Sequence, residues 1–136
     1  VQFYEQLDPA VFVLRLVPGM RADIIPLLAP HYRALVVESF GVGGLPGGEH
    51  GEMYARLQDW CTSGRLAVFT TQVPHEGCDL AVYEVGRSVK ELPGVLEAKD
   101  MTPEAVAVKL MWALGQTTDR AEAMRLFTTP VEWDIV

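Results

Sequence analysis

A chain of 136 residues suits a single domain, and its 49% apolar content supplies a core, which excludes a disordered protein. Eleven Lys and Arg against eighteen Asp and Glu leave a net charge of −7, so nucleic-acid backbones and anionic membranes are not expected partners. No apolar run approaches the roughly 18 residues that a bilayer-spanning helix requires, so a membrane protein is not expected.

Val1-Gln2-Phe3-Tyr4-Glu5 has neither the basic nor the apolar part of a signal peptide. With no initiator Met before it, the chain is expected to be part of a longer protein. Val11 to Val17 is nearly continuous apolar and β-branched, as in a strand covered on both faces, and Pro18-Gly19 stops it. Ala22 to Leu28 reads as a short helix that Pro26 limits to a turn or two. Arg33 to Phe40 is a second buried strand, running into the Gly-rich stretch Gly41 to Gly48. Met53, Leu57 and Trp60 share one helical face between Glu52 and Cys61, and Ser63-Gly64 supplies a C-cap.

Leu66 to Thr70 is the third strand, followed by a polar loop from Gln72 to Asp79. Leu80 to Val85 reads as a short extended piece and Ser88 to Leu92 as a brief helix ended by Pro93-Gly94. Thr102-Pro103-Glu104 combines a cap, Pro at the first helical position and an acid in the first turn. That helix carries Val106, Leu110, Ala113 and Leu114 on one face, with Gly115 as its end. Asp119-Arg120-Ala121-Glu122 has capping-box spacing and opens a last helix through Phe127. The alternation predicts one α/β domain, a three-layer sandwich around a small parallel sheet, Rossmann-like in type. Ligands of such sheets sit at the strand carboxyl ends, here the loops at Pro18, Gly41 and Thr71.

No catalytic constellation is visible in these residues. Cys61 and Cys78 are too few for a disulfide framework, and with the scattered His31, His50 and His75 they do not make a zinc ligand set. No metal and no cofactor are therefore expected, and two reduced thiols suit a cytoplasmic protein. The Gly41 stretch fails as a dinucleotide fingerprint, because Gly41-x-Gly43 is followed by Pro46 where a third Gly is needed. It reads either as a tight loop needing positive φ or as a cradle whose backbone N–H groups meet an anion. Ser39 lacks the Gly two positions earlier that a nucleophile elbow requires. Thr70, Thr71 and Gln72 end a strand, where such residues serve a ligand edge or satisfy a turn.

Several segments, in order, resemble the C-terminal domain of L-asparaginases, the cytoplasmic type I enzymes in particular. Val17-Pro18-Gly19-Met20 looks like the turn that opens that domain. Val36 to Pro46 resembles its second strand and Gly-Val-Gly-Asn-x-Pro loop, and Thr71-Gln72 with Gly77 and Tyr83 its Thr-Gln-Cys stretch. Gly94-Val95-Leu96, Asp100-Met101-Thr102-Pro103-Glu104-Ala105 and Lys109-Leu110-Met111 complete the pattern. The resemblance implies hydrolysis of the asparagine side-chain amide to aspartate and ammonia by a longer parent. The family's Thr nucleophile and its helpers belong to an N-terminal domain, in Thr-Gly-Gly-Thr and Gly-Thr-Asp segments that this chain does not contain. The chain itself is thus expected to be inactive and to carry no catalytic residue. The resemblance assigns it a part in dimerisation and in closing the active site with the Gly loop. Its partners would be its own N-terminal domain, a second copy and a small amino acid.

The loop and ligand candidates are then Gly41, Gly43, Gly44, Thr71 and Gln72, with Gly44 standing at the family's loop Asn. Some type I relatives hold a second, allosteric asparagine with an Arg and a Cys, and Glu38 and Val73 occupy those positions. A carboxylate at 38 cannot pair with a substrate carboxylate as Arg does, so that site is not expected in that form. A stand-alone module that binds an amino acid at its strand ends is the alternative.

Overall fold

The structure is a computed structural model that describes residues 3–41, 44–73, 79–81 and 84–135. Its elements are β1 (Val11–Arg15), α1 (Ile24–Leu28), β2 (Ala34–Ser39), α2 (Glu52–Thr62), β3 (Leu66–Thr71), α3 (Glu84–Lys90), β4 (Val95–Glu97), α4 (Pro103–Gln116) and α5 (Arg120–Thr128). The four strands form one parallel sheet in the order β1-β2-β3-β4.

Side-chain alternation divides the sheet's residues between two helix layers. Leu14, Leu35, Val37, Ala67 and Phe69 face α1, α2 and α3, packing against Ile25, Leu57, Trp60 and Val89. Val11, Ala34, Val36, Leu66 and Val68 face α4 and α5, packing against Val106, Leu110, Ala123 and Phe127. Both faces being covered is why the strands read as unbroken apolar runs. Phe69, Leu57 and Phe127 are fully buried, each contributing roughly 1.5–3 kcal/mol of transfer free energy. The Trp60 indole, also buried, donates to the Leu66 carbonyl at 2.8 Å, so its polar atom is not stranded.

The helix starts follow the sequence signals. Thr102 Oγ1 accepts from Ala105 N at 3.3 Å with Pro103 at the first turn, and Asp119 accepts from Glu122 N at 3.2 Å. Before β1, the chain lies along α4: Asp8 N donates to the Met111 carbonyl at 2.9 Å, and Gln116 Nε2 to the Gln6 carbonyl at 2.9 Å. Gly115 permits this approach, and α4 continues past it to Gln116 rather than closing there.

The layered α/β architecture predicted from sequence is the one observed, with a fourth strand added. Val95–Glu97 has only three residues, all half-buried, and becomes a strand because β3 offers its open edge, pairing Ala67 with Val95. The extended reading of 80–85 is overturned: Leu80 and Ala81 lie in a turn and α3 begins at Glu84, ahead of the predicted start at Ser88. Gly86 concealed this helix. It is required there because a Cβ would sit 2.3 Å from the Leu80 carbonyl oxygen. The first strand stops at Arg15, short of Val17, where the chain leaves the sheet for the Pro18-Gly19 turn.

Candidate functional site

The parallel register places Arg15, Glu38 and Thr70 in one row across the carboxyl ends of β1, β2 and β3. They share parity with Val36 and Val68, so the row belongs to the face covered by α4. After β4 the chain buries Ala98, turns through Lys99 at a left-handed φ of 53°, and enters α4 at Thr102. Between these ends lies a cavity of about 590 Å³, lined by Arg15, Glu38, Thr70, Thr71, Gln72, Val73 and residues 99–104. It combines two cations (Arg15, Lys99) with three carboxylates (Glu38, Asp100, Glu104), hydroxyls and an amide. Arg15 and Glu38, though register neighbours, make no ion pair among the described residues. Charges of both signs in one concave space suit a small zwitterion better than a simple anion or cation.

The strand ends are held by side chains. Thr71 Oγ1 donates to the Gly41 carbonyl and accepts from Val73 N at 3.0 Å. Gln72 Nε2 donates to the Leu16 carbonyl at 2.6 Å and the Glu38 carbonyl at 2.8 Å, tying the ends of β1 and β2 to β3. Buried Ser39 donates to the Thr70 carbonyl at 2.9 Å and is committed to the scaffold. The donors of Thr71 and Gln72 thus shape the cavity by fixing backbone.

Of the residues singled out from sequence, Glu38, Thr70, Thr71, Gln72 and Val73 meet in this cavity. Gly41, with φ 50°, joins it through Thr71, whereas Gly44 turns away and exchanges two backbone hydrogen bonds with Phe40. Gly43 lies outside the described residues, as do His75, Gly77, Cys78 and Tyr83. Sequence reasoning missed Arg15, Lys99 and Thr102. Arg15 had a visible signal, being the one charge in the apolar run from Val11 to Val17. Lys99 had none, since its place depends on β4.

Among the described residues, no three His, Cys, Asp or Glu side chains gather as a metal site requires. Burial pushes the Cys61 thiol up to about 11, against the pull of Arg120, so at neutral pH it is a protonated core group. Among the described residues, no helix is long and apolar enough to cross a membrane.

Residues 10–127 match the family described as Glutaminase/Asparaginase C-terminal domain. The chain belongs to that family. The L-asparaginase of Thermococcus kodakarensis is 37% identical over 133 residues, covering 98% of this chain and 40% of the relative. A Glutamyl-tRNA(Gln) amidotransferase subunit from Metallosphaera sedula is 35% identical over 130 residues, covering 95% of this chain and 28% of the relative. Among solved structures, the thermostable L-asparaginase from Thermococcus kodakarensis superposes with a TM-score of 0.86 at 36% identity, over 96% of this chain and 39% of that one. L-asparaginase I from Vibrio cholerae gives 0.79 at 24% identity, over 95% and 38%, a likeness of fold. The chain therefore spans 40% or less of the length of these relatives. Nothing in the residue pattern alone pointed to the amidotransferase relatives.

Proposed function

We propose that this asparaginase C-terminal domain serves a longer amidohydrolase that converts a side-chain amide, asparagine first among candidates, to the acid and ammonia. The observation that carries the reading is the family match across residues 10–127, with 37% identity to an L-asparaginase over nearly the whole chain. In this reading a preceding domain supplies the Thr nucleophile. The present domain contributes to a dimer and closes the active site with the loop at Gly41. The cavity of Arg15 and Glu38 supports a role near a zwitterionic amino acid, because each charge could meet the opposite group of the substrate backbone. The cytoplasm is the compartment we assign to the parent.

The 136-residue chain alone is expected to release no ammonia from asparagine or glutamine in a coupled assay. Asparagine hydrolysis is expected once the polypeptide encoded upstream is joined to it. Turnover by the chain alone, or an upstream sequence unrelated to the Thr segments, would overturn the reading.

A second reading has its own support, in the relatives named as subunits of Glutamyl-tRNA(Gln) amidotransferase, at 35% and 32% identity. There the domain would serve a protein that hydrolyses an amide to supply ammonia to a partner. Ammonia release that depends on a partner protein and charged tRNA would select it. Calorimetry of the chain with asparagine, aspartate and glutamine tests the stand-alone binding module, for which heat with one of them is expected.

A further inference from the structure

The amino ends of the strands, opposite the cavity described above, hold a second cavity of about 360 Å³. Three half-buried arginines line it: Arg33 just before β2, Arg65 just before β3, and Arg120 at the first turn of α5. His31 and Thr118 join them, and among the described residues no Asp or Glu lines it. In a chain of net charge −7 this is a concentration of positive charge.

The charges are balanced only in part. Arg33 pairs with Asp8 at 2.7 Å. Arg65 and Arg120 have no carboxylate partner among the described residues. Backbone carbonyls hold both guanidiniums instead. Arg65 donates to the Ala29 carbonyl at 2.7 Å and the Tyr32 carbonyl at 3.3 Å, and also to Ser63 Oγ at 2.7 Å. Arg120 Nη1 donates to the carbonyls of Cys61 at 2.7 Å and Arg65 at 3.3 Å. Its Nε and Nη2 donate to no group among the described residues.

Carbonyl dipoles offset part of the cost of half-burying two like charges, but they do not neutralise them. They also fix the two planar forks in place before any ligand arrives, which removes side-chain entropy from the binding step. Gly94, with φ 78°, lets Arg120 reach the Arg65 carbonyl, since a Cβ there would come within 3.0 Å of Arg120 Nη1 and 2.7 Å of that oxygen.

We propose that this cavity is an anion site for a carboxylate or phosphate group, held by the remaining guanidinium donors of Arg65 and Arg120 with His31 and Thr118 at its rim. The same chemistry is offered by a free small anion and by an acidic side chain of another polypeptide.

The test is an NMR titration of the ¹⁵N-labelled 136-residue chain with inorganic phosphate, succinate or a glutamate-rich peptide, each against sodium chloride of equal ionic strength. Saturating shifts are expected at the Nε–H of Arg65 and Arg120 and at the amides of residues 31–33 and 63–66. Saturation by phosphate or succinate assigns a free anion, and saturation by the peptide alone assigns an acidic side chain. Shifts that sodium chloride reproduces would overturn the proposal. Arg120→Gln is expected to weaken binding about tenfold, the loss of a charge-assisted pair. Arg120→Lys retains the charge and guards against a folding failure, and is expected to bind more weakly than Arg120 because the fork is lost. Unchanged affinity in both folded variants would also overturn it.

Discussion

Gly115 lies inside α4, where alanine is ordinarily the better residue by about 1 kcal/mol. Here the sign reverses. A Cβ would come within 2.4 Å of the Gln6 carbonyl oxygen and 3.0 Å of Leu7 Cα. Gly115→Ala is expected to lower stability by about 1–3 kcal/mol through overpacking, read as a lower urea midpoint. A raised midpoint would show that the segment before β1 yields freely. A second residue-scale contact fastens the other end of the chain. Buried Lys109 meets Asp134 at 2.5 Å and donates to the Thr129 carbonyl at 2.9 Å. Partial burial raises the pKa of Asp134, but the hydrogen bond and charge of Lys109, with backbone donors, outweigh it, and the carboxyl lies below its ordinary range. The folded chain thus keeps this carboxylate ionised where the unfolded chain takes up a proton. Its contribution is complete above the ordinary aspartate value of about 4 and is lost as pH falls through the lower folded value. Asp134→Asn is expected to cost about 1–2 kcal/mol at pH 7. The difference from wild type should shrink as acid protonates the native carboxyl. A difference that stays constant from pH 7 to pH 2 would contradict the pairing.

At the scale of elements, α4 shows how a local signal and a tertiary role coincide. Thr102 caps the helix, and the same residue lines the strand-end cavity. Thr102→Ala is expected to cost about 1 kcal/mol, with Thr102→Ser retaining most of it. Chemical denaturation of the pair checks this, and equal losses would mean that the hydroxyl does not cap. Helices α4 and α5 were legible because their starts are written in adjacent residues, Thr102-Pro103-Glu104 and Asp119 to Glu122. The first three strands were legible because burial on both faces leaves unbroken apolar runs. β4 was not, since three residues carry no periodicity and only the edge of β3 decides their state. α3 was hidden by Gly86, whose reason is the distant Leu80 carbonyl. The cavity was half legible. Glu38, Thr70, Thr71, Gln72 and Val73 were singled out on the right strand ends, but Arg15 and Lys99 reach it through register and through the turn after β4. The arginines of the opposite cavity come from two connections and the first turn of α5, and no spacing along the chain links them.

Over the whole molecule, apolar surface remains on the outer face of α4. Tyr4, Leu7, Val108, Trp112, Leu126 and Val131 line a groove of about 830 Å³, and Val108 is 60% exposed. Exposed apolar area of this kind marks a surface for contact with another protein surface. The purified chain is expected to self-associate, with light scattering giving a mass that climbs above 15.0 kDa as concentration rises. Val108→Asp is expected to return it to the monomer, and a wild-type mass constant at 15.0 kDa would argue against the groove as the contact.

The order β1-β2-β3-β4 carries a consequence for biosynthesis. Each strand after β1 docks on the one translated just before it, so none of these waits at the ribosome for a pairing partner still to be made. Strand pairing closes between neighbours in sequence, whereas β1 and the segment before it meet α4 only once the last third of the chain is made. The last strand to arrive is only three residues long, and that brevity gives a stray strand little to grip.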